Sequence, residues 1–408
     1  MPAQFHQHIL PNGLTVIAEV VPTAHTAACG FFVKTGARDE LSRVMGVSHF
    51  LEHMMFKGTS DISAEELNRR FDAMGARNNA FTSTEMTCFY AGTLPEQISE
   101  ATTLLGLMMR PALRQGDFDT EKEVILEEIA MYKDNPFWVL YEACVEKHFG
   151  DHPLSHRVLG TAETITALRR DDMQEYFDRR YSADNTTVAF AGRVDFDRAV
   201  RGVESVCGSW ARTGARRSTE SPARAGGRFR LTDQKVSRAY LLGLADAPPI
   251  EDDRRYAATL LAHVLGAPDN SRLHWALIET GIAEEAQASY DAHDGVGQFH
   301  VFASGEPGRL EEIEKIILEE IESAATKVSE ADLERLRNKI ATAVTLGGER
   351  PTDRMHRIGR QWTCSRDFRT LEEELRRISA VTVDDLRAVA RDFPLRPVTL
   401  GTLVPQAS

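Results

Sequence analysis

The sequence lacks the features that mark several classes of protein. It has no run of 18 or more apolar residues, which a membrane-spanning helix would need. Its five cysteines are scattered and none forms a Cys-x-x-Cys pair, so neither a disulfide scaffold nor a thiolate zinc module is expected. Basic residues number 48 against 61 acidic ones, and the net charge of −13 argues against nucleic acid or an anionic membrane as partner.

The N-terminal segment also lacks targeting signals. Residues 1–6 (MPAQFH) have neither the basic nor the apolar region of a secretory signal peptide. No arginine precedes Arg38, whereas mitochondrial transit peptides are rich in arginine. Together with the unpaired cysteines, these absences predict a cytoplasmic location.

The chain of 408 residues is longer than one hydrophobic core usually supports, so at least two domains are expected. Residues 212–228 (RTGARRSTESPARAGGR) have no apolar periodicity and are rich in glycine and arginine. Such a segment could be an anion-binding patch, but a solvated connector is the favoured interpretation. We therefore expect domains at 1–211 and 229–408, joined by a linker at 212–228.

The two halves contain a repeated pattern. I-x-A-L-x-x-D-D-M at 165–173 recurs as I-x-A-V-x-x-D-D-L at 378–386, and both Pro95 and Pro307 precede an amphipathic helix. An acidic pair at a helix start is favoured by the helix dipole and needs no catalytic explanation. The repeat predicts an internal duplication.

Each half is expected to be α+β, with helices packed on a mostly antiparallel sheet. Alternating segments flank Pro-Asn-Gly at 11–13, which predicts a β-hairpin. A further strand is expected at 79–91, and helices are expected at the segments 44–56, 64–74, 95–109 and 120–133.

Residues 49–53 read HFLEH. On a helix, His53 lies about 40° from His49, and Glu52 lies about 60° on the other side. Two imidazoles one turn apart can bind one metal ion, and the carboxylate beside them can reach water on that metal. The order H-x-x-E-H is the inverse of the common zincin motif. A surface helix that carries polar residues is the alternative.

A third ligand is predicted on the helix at 120–133. Glu121 and Glu128 fall within its apolar stripe, about 60° and 40° from Val124, whereas Glu123 and Glu127 fall on the opposite, solvent face. Carboxylates on a buried face are costly unless they are paired or bind metal.

Other histidines are weaker candidates. His148, His152 and His156 have a spacing of four residues, but Gly150 and Pro153 interrupt any helix there, so these are interpreted as loop histidines. His263 has no partner at ligand spacing. The second half is therefore expected to bind no metal.

At this point the chain resembles the pitrilysin/insulinase-type zinc peptidases, the inverzincins, and within them the bacterial relatives of the mitochondrial processing peptidase β-subunit. The matching stretches include GVSHFLEHMMFKGT at 46–59, NAFTSTEMTCFYA at 79–91 and EKEVILEEIAMYKDNP at 121–136. PNGL at 11–14 and HPLSHRVLGTAETI at 152–165 extend the match. The resemblance covers the first half closely and the second half through layout and repeat.

The resemblance implies roles for individual residues. His49, His53 and Glu128 would be ligands of one Zn²⁺ per chain, and Glu52 would be the general base that activates a zinc-bound water as nucleophile. Glu121 would be the family's additional carboxylate, which holds a ligand or assists catalysis. The helical phase selects the same two glutamates, Glu121 and Glu128, of the helix at 120–133.

The resemblance also implies how substrate is bound. Phe56 stands where the processing peptidases have an aromatic residue that lines the pocket for the residue after the cleaved bond. Asn79, Ala80 and Phe81 stand on the family's substrate-binding edge strand. An extended peptide added to a free sheet edge gains backbone hydrogen bonds whatever its sequence. Core packing is the alternative for Phe56, as an ordinary strand is for Asn79–Phe81.

One departure from the family concerns the arginine and tyrosine that hold substrate from the second half or from a partner subunit. The segment 290–304 contains Tyr290 but no arginine. Arg354, Arg357 and Arg360 lie further on and are the candidates for the family's arginine.

The expected protein is a clamshell-shaped zinc metalloendopeptidase of bacterial cytoplasm that cleaves peptides or unfolded, presequence-like segments. It would act as a homodimer or as a heterodimer with a related subunit. The alternative is a non-catalytic or partner-dependent assembly subunit of the same fold, like the core proteins of respiratory complexes. A hydrolase with a substrate other than peptides is a third possibility.

Overall fold

The computed structural model describes residues 3–220, 222–223 and 225–406. Ser221 and Arg224 of the expected linker lie outside the described residues, as do the first two residues of the N-terminal segment and the last two of the chain.

The strands within the described residues are β1 (Gln4–Ile9), β2 (Thr15–Val20), β3 (Ala27–Val33), β4 (Arg77–Thr82), β5 (Thr87–Thr93), β6 (Thr186–Gly192), β7 (Gly227–Asp233), β8 (Ala239–Ala247), β9 (Glu285–His293), β10 (Val296–Gly305) and β11 (Thr399–Pro405).

The α-helices within the same residues are α1 (Val47–Met55), α2 (Ala64–Ala73), α3 (Ile98–Met108), α4 (Gln115–Lys133), α5 (Pro136–Phe149), α6 (Ala162–Ala167), α7 (Arg170–Arg180), α8 (Phe196–Cys207), α9 (Arg255–Gly266), α10 (Leu310–Lys327), α11 (Glu330–Glu349), α12 (Pro351–Ser365), α13 (Leu371–Ala380) and α14 (Val383–Asp392).

Two sheets share one strand order, which confirms the duplication. The first runs β1-β2-β6-β3-β5-β4 and the second β7-β11-β8-β10-β9, so the second repeats the first without β1. In each sheet the pairs are antiparallel except one, β2–β6 in the first and β7–β11 in the second. The expected α+β class with mostly antiparallel sheets is confirmed.

The repeated sequence patterns occupy matching elements. Pro95 and Pro307 each begin a 3₁₀ turn that leads into α3 and α10. The two acidic pairs lie in the first turns of α7 and α14, where negative charge offsets the helix dipole. Each of these helices precedes a strand, β6 or β11.

The chain folds as two compact units, each built from three segments. The first unit comprises residues up to Ala130, then His156–Arg217 and Thr345–Arg369; the second comprises Met131–Ser155, Ser218–Val344 and the chain from Thr370 onward. Each unit therefore contains a helix from the other half of the sequence, α12 in the first and α5 in the second. The expected domains 1–211 and 229–408, joined by a linker at 212–228, stay a prediction from the sequence.

These exchanged helices cover sheet faces with apolar side chains. In the first unit Met355 and Ile358 of α12 pack on Ile17 and Phe32 of the sheet. In the second unit Leu140 of α5 packs in the same way on its sheet. The opposite face of the first sheet carries α1 and α3, and the core on that face is larger than the core beneath α12.

The strand expected at 79–91 is wrong, because the structure has a hairpin there, β4 and β5. The turn contains no glycine, proline or asparagine. Ser83 closes it instead: its hydroxyl accepts from Met86 N (3.1 Å) and donates to Met86 O (3.0 Å).

The interpretation of the linker as fully solvated is wrong for Arg217. Its side chain is only 4% exposed and bonds Asp39 and Glu85 in the first unit. Among the described helices, none is both long and apolar enough to cross a membrane.

Candidate metal centre

Helix α1 carries His49, Glu52 and His53, and its start is fixed by a buried carboxylate. Glu40 accepts hydrogen bonds from Gly46 N and Ser48 N, both 2.7 Å. These bonds satisfy amides that a helix start leaves unpaired. Gly46 has φ +95°, and a Cβ there would lie 2.6 Å from a backbone oxygen, so only glycine fits before the helix.

The apolar face of α1 holds it against the helix that supplies the carboxylates. Val47, Phe50 and Met54 are fully buried, and Phe50 stacks on Phe118 of α4 with ring centroids 4.7 Å apart. This packing brings the polar arc of α1 opposite α4. The predicted phase of α4 matches the structure: Glu121 is 5% exposed and Glu128 half-buried, whereas Glu123 and Glu127 are exposed.

Among the described residues, His49, His53 and Glu128 form a group that could hold a metal ion. Their ligand atoms lie within 4.8 Å of one another, and Nε2 of each histidine is 3.8 Å from Glu128 Oε2. A tetrahedral zinc ion with bonds of about 2.1 Å separates its ligand atoms by about 3.4 Å. Two imidazoles and a carboxylate at this spacing therefore fit zinc with little adjustment.

The environment of His49 favours the neutral imidazole that a metal requires. Burial, helped by the nearby ring of His53, lowers the pKa of His49 to about 4. At neutral pH the ring nitrogen therefore keeps a free lone pair and does not need to lose a proton before binding a cation.

Glu52 lies beside this group and is held by β4. Its Oε2 accepts a hydrogen bond from the hydroxyl of Thr82, the last residue of that strand. Burial raises the pKa of Glu52, and the Glu128 carboxylate adds to this, while the Thr82 bond opposes it. A carboxylate whose pKa is raised in this way accepts a proton more readily.

Glu121 contacts a candidate ligand from behind. Its Oε1 lies 2.9 Å from His53 Nδ1, and its Oε2 pairs with the ammonium group of Lys57. Burial alone would raise the pKa of Glu121, but the bonds from Lys57 and His53 outweigh burial and lower that pKa. The ionised carboxylate holds the proton of His53 on Nδ1, which leaves Nε2 free to face Glu128.

The residues proposed for substrate binding lie on or next to an open sheet edge. Asn79, Ala80 and Phe81 belong to β4, the outermost strand of the first sheet, and Phe81 is 38% exposed. The amide of Ala80 bonds the side chain of Asn79 (2.9 Å) and not a neighbouring strand. Phe56, at the end of α1, is half-buried against the core beside Phe89.

The rival histidines have other partners. His148 is a fully buried residue of α5 whose Nδ1 bonds Thr399, so its interpretation as a loop histidine is wrong. His152 bonds a backbone oxygen, and His156 bonds Ala37 O at 3.0 Å. None of them belongs to a group of metal-binding spacing within the described residues.

His263 likewise has a structural partner, since its Nδ1 lies 2.8 Å from Thr259 O, one turn earlier in α9. Like the three rival histidines, it is absent from any metal-binding group in the described part of the chain.

Three of the four candidate substrate-holding residues of the second half bond other groups of the chain. The Tyr290 hydroxyl donates to Pro248 O at 2.6 Å. Arg354 and Arg357 of α12 both pair with the buried Glu19, at 2.7 and 2.5 Å. Arg360 is exposed on the same helix.

Sequence reasoning missed three contributors to the site. Lys57 follows His53 by four residues, a spacing that could have indicated a shared face. Thr82 lies 30 residues from Glu52. Glu40 bonds the first amides of α1, a role that a serine or threonine directly before a helix usually has. For these two, the sequence offers no signal without the fold.

Comparison with known families identifies both halves. The sequence profile described as insulinase, peptidase family M16, matches residues 15–162. The profile described as the peptidase M16 inactive domain matches residues 167–340.

Similar proteins occur in several bacteria. An uncharacterized zinc protease of Streptomyces coelicolor is 32% identical over 413 residues, covering 97% of this chain and 88% of its own length. One from Mycobacterium tuberculosis is 33% identical over 407 residues, covering 98% and 93%.

Solved structures share the fold. A protease from Helicobacter pylori has a TM-score of 0.91 at 20% identity, over 99% of this chain and 100% of that one. A chain of complex III2 from Candida albicans has a TM-score of 0.84 at 19% identity, over 98% and 95%.

Proposed function

The chain belongs to the insulinase family of peptidases, family M16, and on that premise we propose that it is a zinc-dependent endopeptidase. Its substrates are extended peptides or unfolded segments of polypeptides. The observation that carries the proposal is the convergence of His49, His53 and Glu128 beside the carboxylate of Glu52.

Three side chains would hold the metal: His49 and His53 through Nε2, and Glu128 through its carboxylate. When bound, zinc supplies Lewis acidity toward water and the substrate carbonyl. Glu121 fixes the His53 ring by accepting a hydrogen bond from Nδ1–H, and Lys57 keeps that carboxylate ionised. This arrangement orients a ligand and strengthens it as a donor.

Glu52 is proposed to move the proton. Its carboxylate takes a proton from the attacking water and then gives it to the departing amine, so the group returns to its starting state. The Thr82 hydroxyl orients Oε2 and leaves Oε1 to carry the proton. The raised pKa of Glu52 suits both directions of transfer.

The free edge of β4 is proposed to bind the substrate backbone. The Ala80 amide points away from β5, because it bonds the Asn79 side chain. A substrate strand would replace that side chain with a backbone carbonyl. Since Thr82, at the end of the same strand, bonds Glu52, a peptide on this edge passes the proposed general base. Phe56 is proposed to line the pocket for the residue after the cleaved bond.

A non-catalytic subunit of the same fold is the alternative, since the Candida albicans complex III2 chain shares this fold. The fold alone does not distinguish the two functions. The group of His49, His53 and Glu128 favours the peptidase, because a scaffold gains nothing from a lowered histidine pKa beside two carboxylates.

We include a homodimer, or a heterodimer with a related subunit, in the proposal. The hydroxyl of Tyr290 and the guanidinium groups of Arg354 and Arg357 already bond other groups of the chain. A partner would then supply the groups that hold substrate opposite the metal. Specific activity that rises with protein concentration, in step with dimer formed, would support this.

The test is metal removal from the purified chain. We expect about one zinc per chain, hydrolysis of a quenched fluorescent peptide, loss of hydrolysis on chelation, and recovery on adding zinc. Bound zinc without hydrolysis at any protein concentration would point to a missing partner subunit. A folded chain with neither zinc nor hydrolysis would contradict the proposal and favour the scaffold.

A further inference from the structure

Arg217 makes an unusual set of contacts for a residue of a linker. Its guanidinium binds the Asp39 carboxylate through two bonds, Nε–Oδ1 at 3.0 Å and Nη2–Oδ2 at 2.6 Å. The same group bonds Glu85 twice, to the carboxylate at 3.3 Å and to the backbone oxygen at 2.5 Å. All three side chains are less than 10% exposed. Arg217 is also the point at which the linker leaves the first unit.

Glu85 lies in the turn that ends β4, and this turn rests on the segment 36–39. Ala37 N donates to Ser83 O, and Arg38 N donates to the next backbone oxygen at 2.8 Å. The Arg38 side chain also binds the Glu85 carboxylate at 2.7 Å. A Cβ on Gly36 would lie 2.2 Å from Ser83 O, so the two segments touch backbone to backbone.

The segment 36–40, on which this turn rests, also fixes the start of helix α1. Glu40, next after Asp39, holds the start of α1 through Gly46 N and Ser48 N. The edge strand β4 and the helix α1 therefore share one base, residues 36–40. Arg217 ties the base to the turn, since it bonds both Asp39 and Glu85. Thr82, the last residue of β4 before this turn, reaches Glu52.

The equivalent place of the second unit differs, as far as the described residues show. Because β3 pairs with β6 as β8 pairs with β11, strand register makes the segments 35–39 and 179–185 equivalent to 246–250 and 392–398. There the structure has a solvent-open pocket of about 530 Å³, lined by residues that include Asp246, Pro249 and Phe393. In the first unit, the same region contains the buried side chains of Arg180 and Arg217, and both bond Asp39.

We propose that Arg217 is a positioning residue of the active site. It holds the β4–β5 turn against residues 36–39, and so sets the distance between the substrate-binding edge and α1. This inference rests on the proposed function, since it assigns β4 to substrate binding. It predicts that Arg217 matters for substrates long enough to pair along β4 and much less for short ones.

The test compares Arg217→Met with Arg216→Met, the preceding and exposed arginine. Zinc content and melting temperature are measured for each protein. The values of kcat and KM are measured with a twelve-residue peptide, which can pair along the whole of β4, and with a four-residue peptide, which is shorter than one strand. For Arg217→Met we expect kcat/KM to fall by about tenfold or more with the long peptide, little change with the short one, and full zinc content. Arg216→Met should match the wild type.

Arg217→Lys and an added small guanidinium compound extend the test. Lysine keeps the charge but not the paired bonds, so it should resemble methionine in kcat/KM while folding normally. Ethylguanidinium should partly restore the long-peptide activity of Arg217→Ala. An unchanged ratio of kcat/KM between the long and the short peptide in a folded variant, whether both values fall equally or neither falls, would overturn the proposal.

Hydrogen exchange separates this inference from the proposed function. If the folded wild type neither binds zinc nor cleaves peptide, the proposed function fails, but the mechanical link can still be measured. Amides of 77–86 should exchange faster in Arg217→Met than in the wild type, while those of α1 stay protected. Unchanged exchange in 77–86 would overturn the link itself.

Discussion

At the scale of single residues, Glu121 shows how a buried carboxylate stays charged behind a candidate metal ligand, His53. An isolated buried carboxylate would be neutral, because desolvation disfavours its charge. Here Lys57 and His53 together hold it ionised. Its charge then fixes the proton of His53 on Nδ1, so Glu121 determines that Nε2 is the ring nitrogen left free to face Glu128.

Glu121→Gln should weaken zinc binding without abolishing it. The amide keeps the size of the side chain but loses the charge that orients His53, and it leaves Lys57 without its anion. We expect zinc affinity to fall by about 10- to 100-fold, measured by competition with a fluorescent chelator. Glu123→Gln, on the exposed face of α4, is the control. Equal affinities for the two variants would contradict this role.

The positions of Glu121 and Glu128 were predictable because helical phase depends only on spacing along the chain. His49 and His53 were predictable for the same reason. Thr82 and Arg217 were not, since each reaches its partner across the fold from a distant segment. Their residue types suggest a strand end and a solvated linker, and only tertiary packing assigns them to the site.

At the scale of elements, β4 is the strand proposed to bind the substrate backbone. Residues of a strand alternate between its two edges, so the amides of alternate residues face a neighbour. Ala80 presents its amide to the open edge, where the Asn79 side chain covers it. That cover protects an exposed edge against unwanted pairing and is replaceable by a peptide.

Backbone N-methylation of the substrate should therefore raise KM at every second residue of the bound segment. Methylation of an amide that faces β4 removes one hydrogen bond and adds a clash, whereas methylation of the next amide leaves the pairing intact. We expect KM to rise by about tenfold at alternate positions of a peptide series, which corresponds to about 1.4 kcal/mol. A uniform or irregular effect along the peptide would argue against strand addition.

The hairpin of β4 and β5 shows where prediction from sequence ends at this scale. The alternation at 79–91 predicted one strand, because the usual turn residues are missing. Ser83 forms the turn through its own side chain, and residues 36–38 hold the turn from outside. By contrast, the hairpin at Pro-Asn-Gly was predicted correctly, since its turn chemistry is local.

At the scale of the whole molecule, each half of the sequence completes the other. The repeat at an offset of 213 (378 minus 165) predicted two similar halves, and the shared strand order confirms them. The exchange of α5 and α12 was not predictable, because an amphipathic helix does not encode which sheet it covers. In the first unit, α12 buries Phe32 and Ile17 completely.

Residues 1–220 expressed alone should therefore fold poorly. Without α12, the sheet face that contains Ile17, Phe32 and Ala191 is exposed to water, and Glu19 loses both of its arginines. We expect the fragment to bind a hydrophobic dye and to aggregate, and we expect residues 225–408 added during refolding to rescue it. A soluble monomer of 1–220 with cooperative unfolding would contradict this view of the units.

Glu52 is proposed to move protons at a zinc site, and one measurement tests this role most directly. Zinc content and peptide hydrolysis are compared for the wild type, Glu52→Gln and Glu127→Gln, an exposed carboxylate of α4. We predict full zinc content in all three proteins. Hydrolysis should persist in the wild type and Glu127→Gln, and should fall by at least about 100-fold in Glu52→Gln. Hydrolysis by zinc-loaded Glu52→Gln at the wild-type rate would contradict the account.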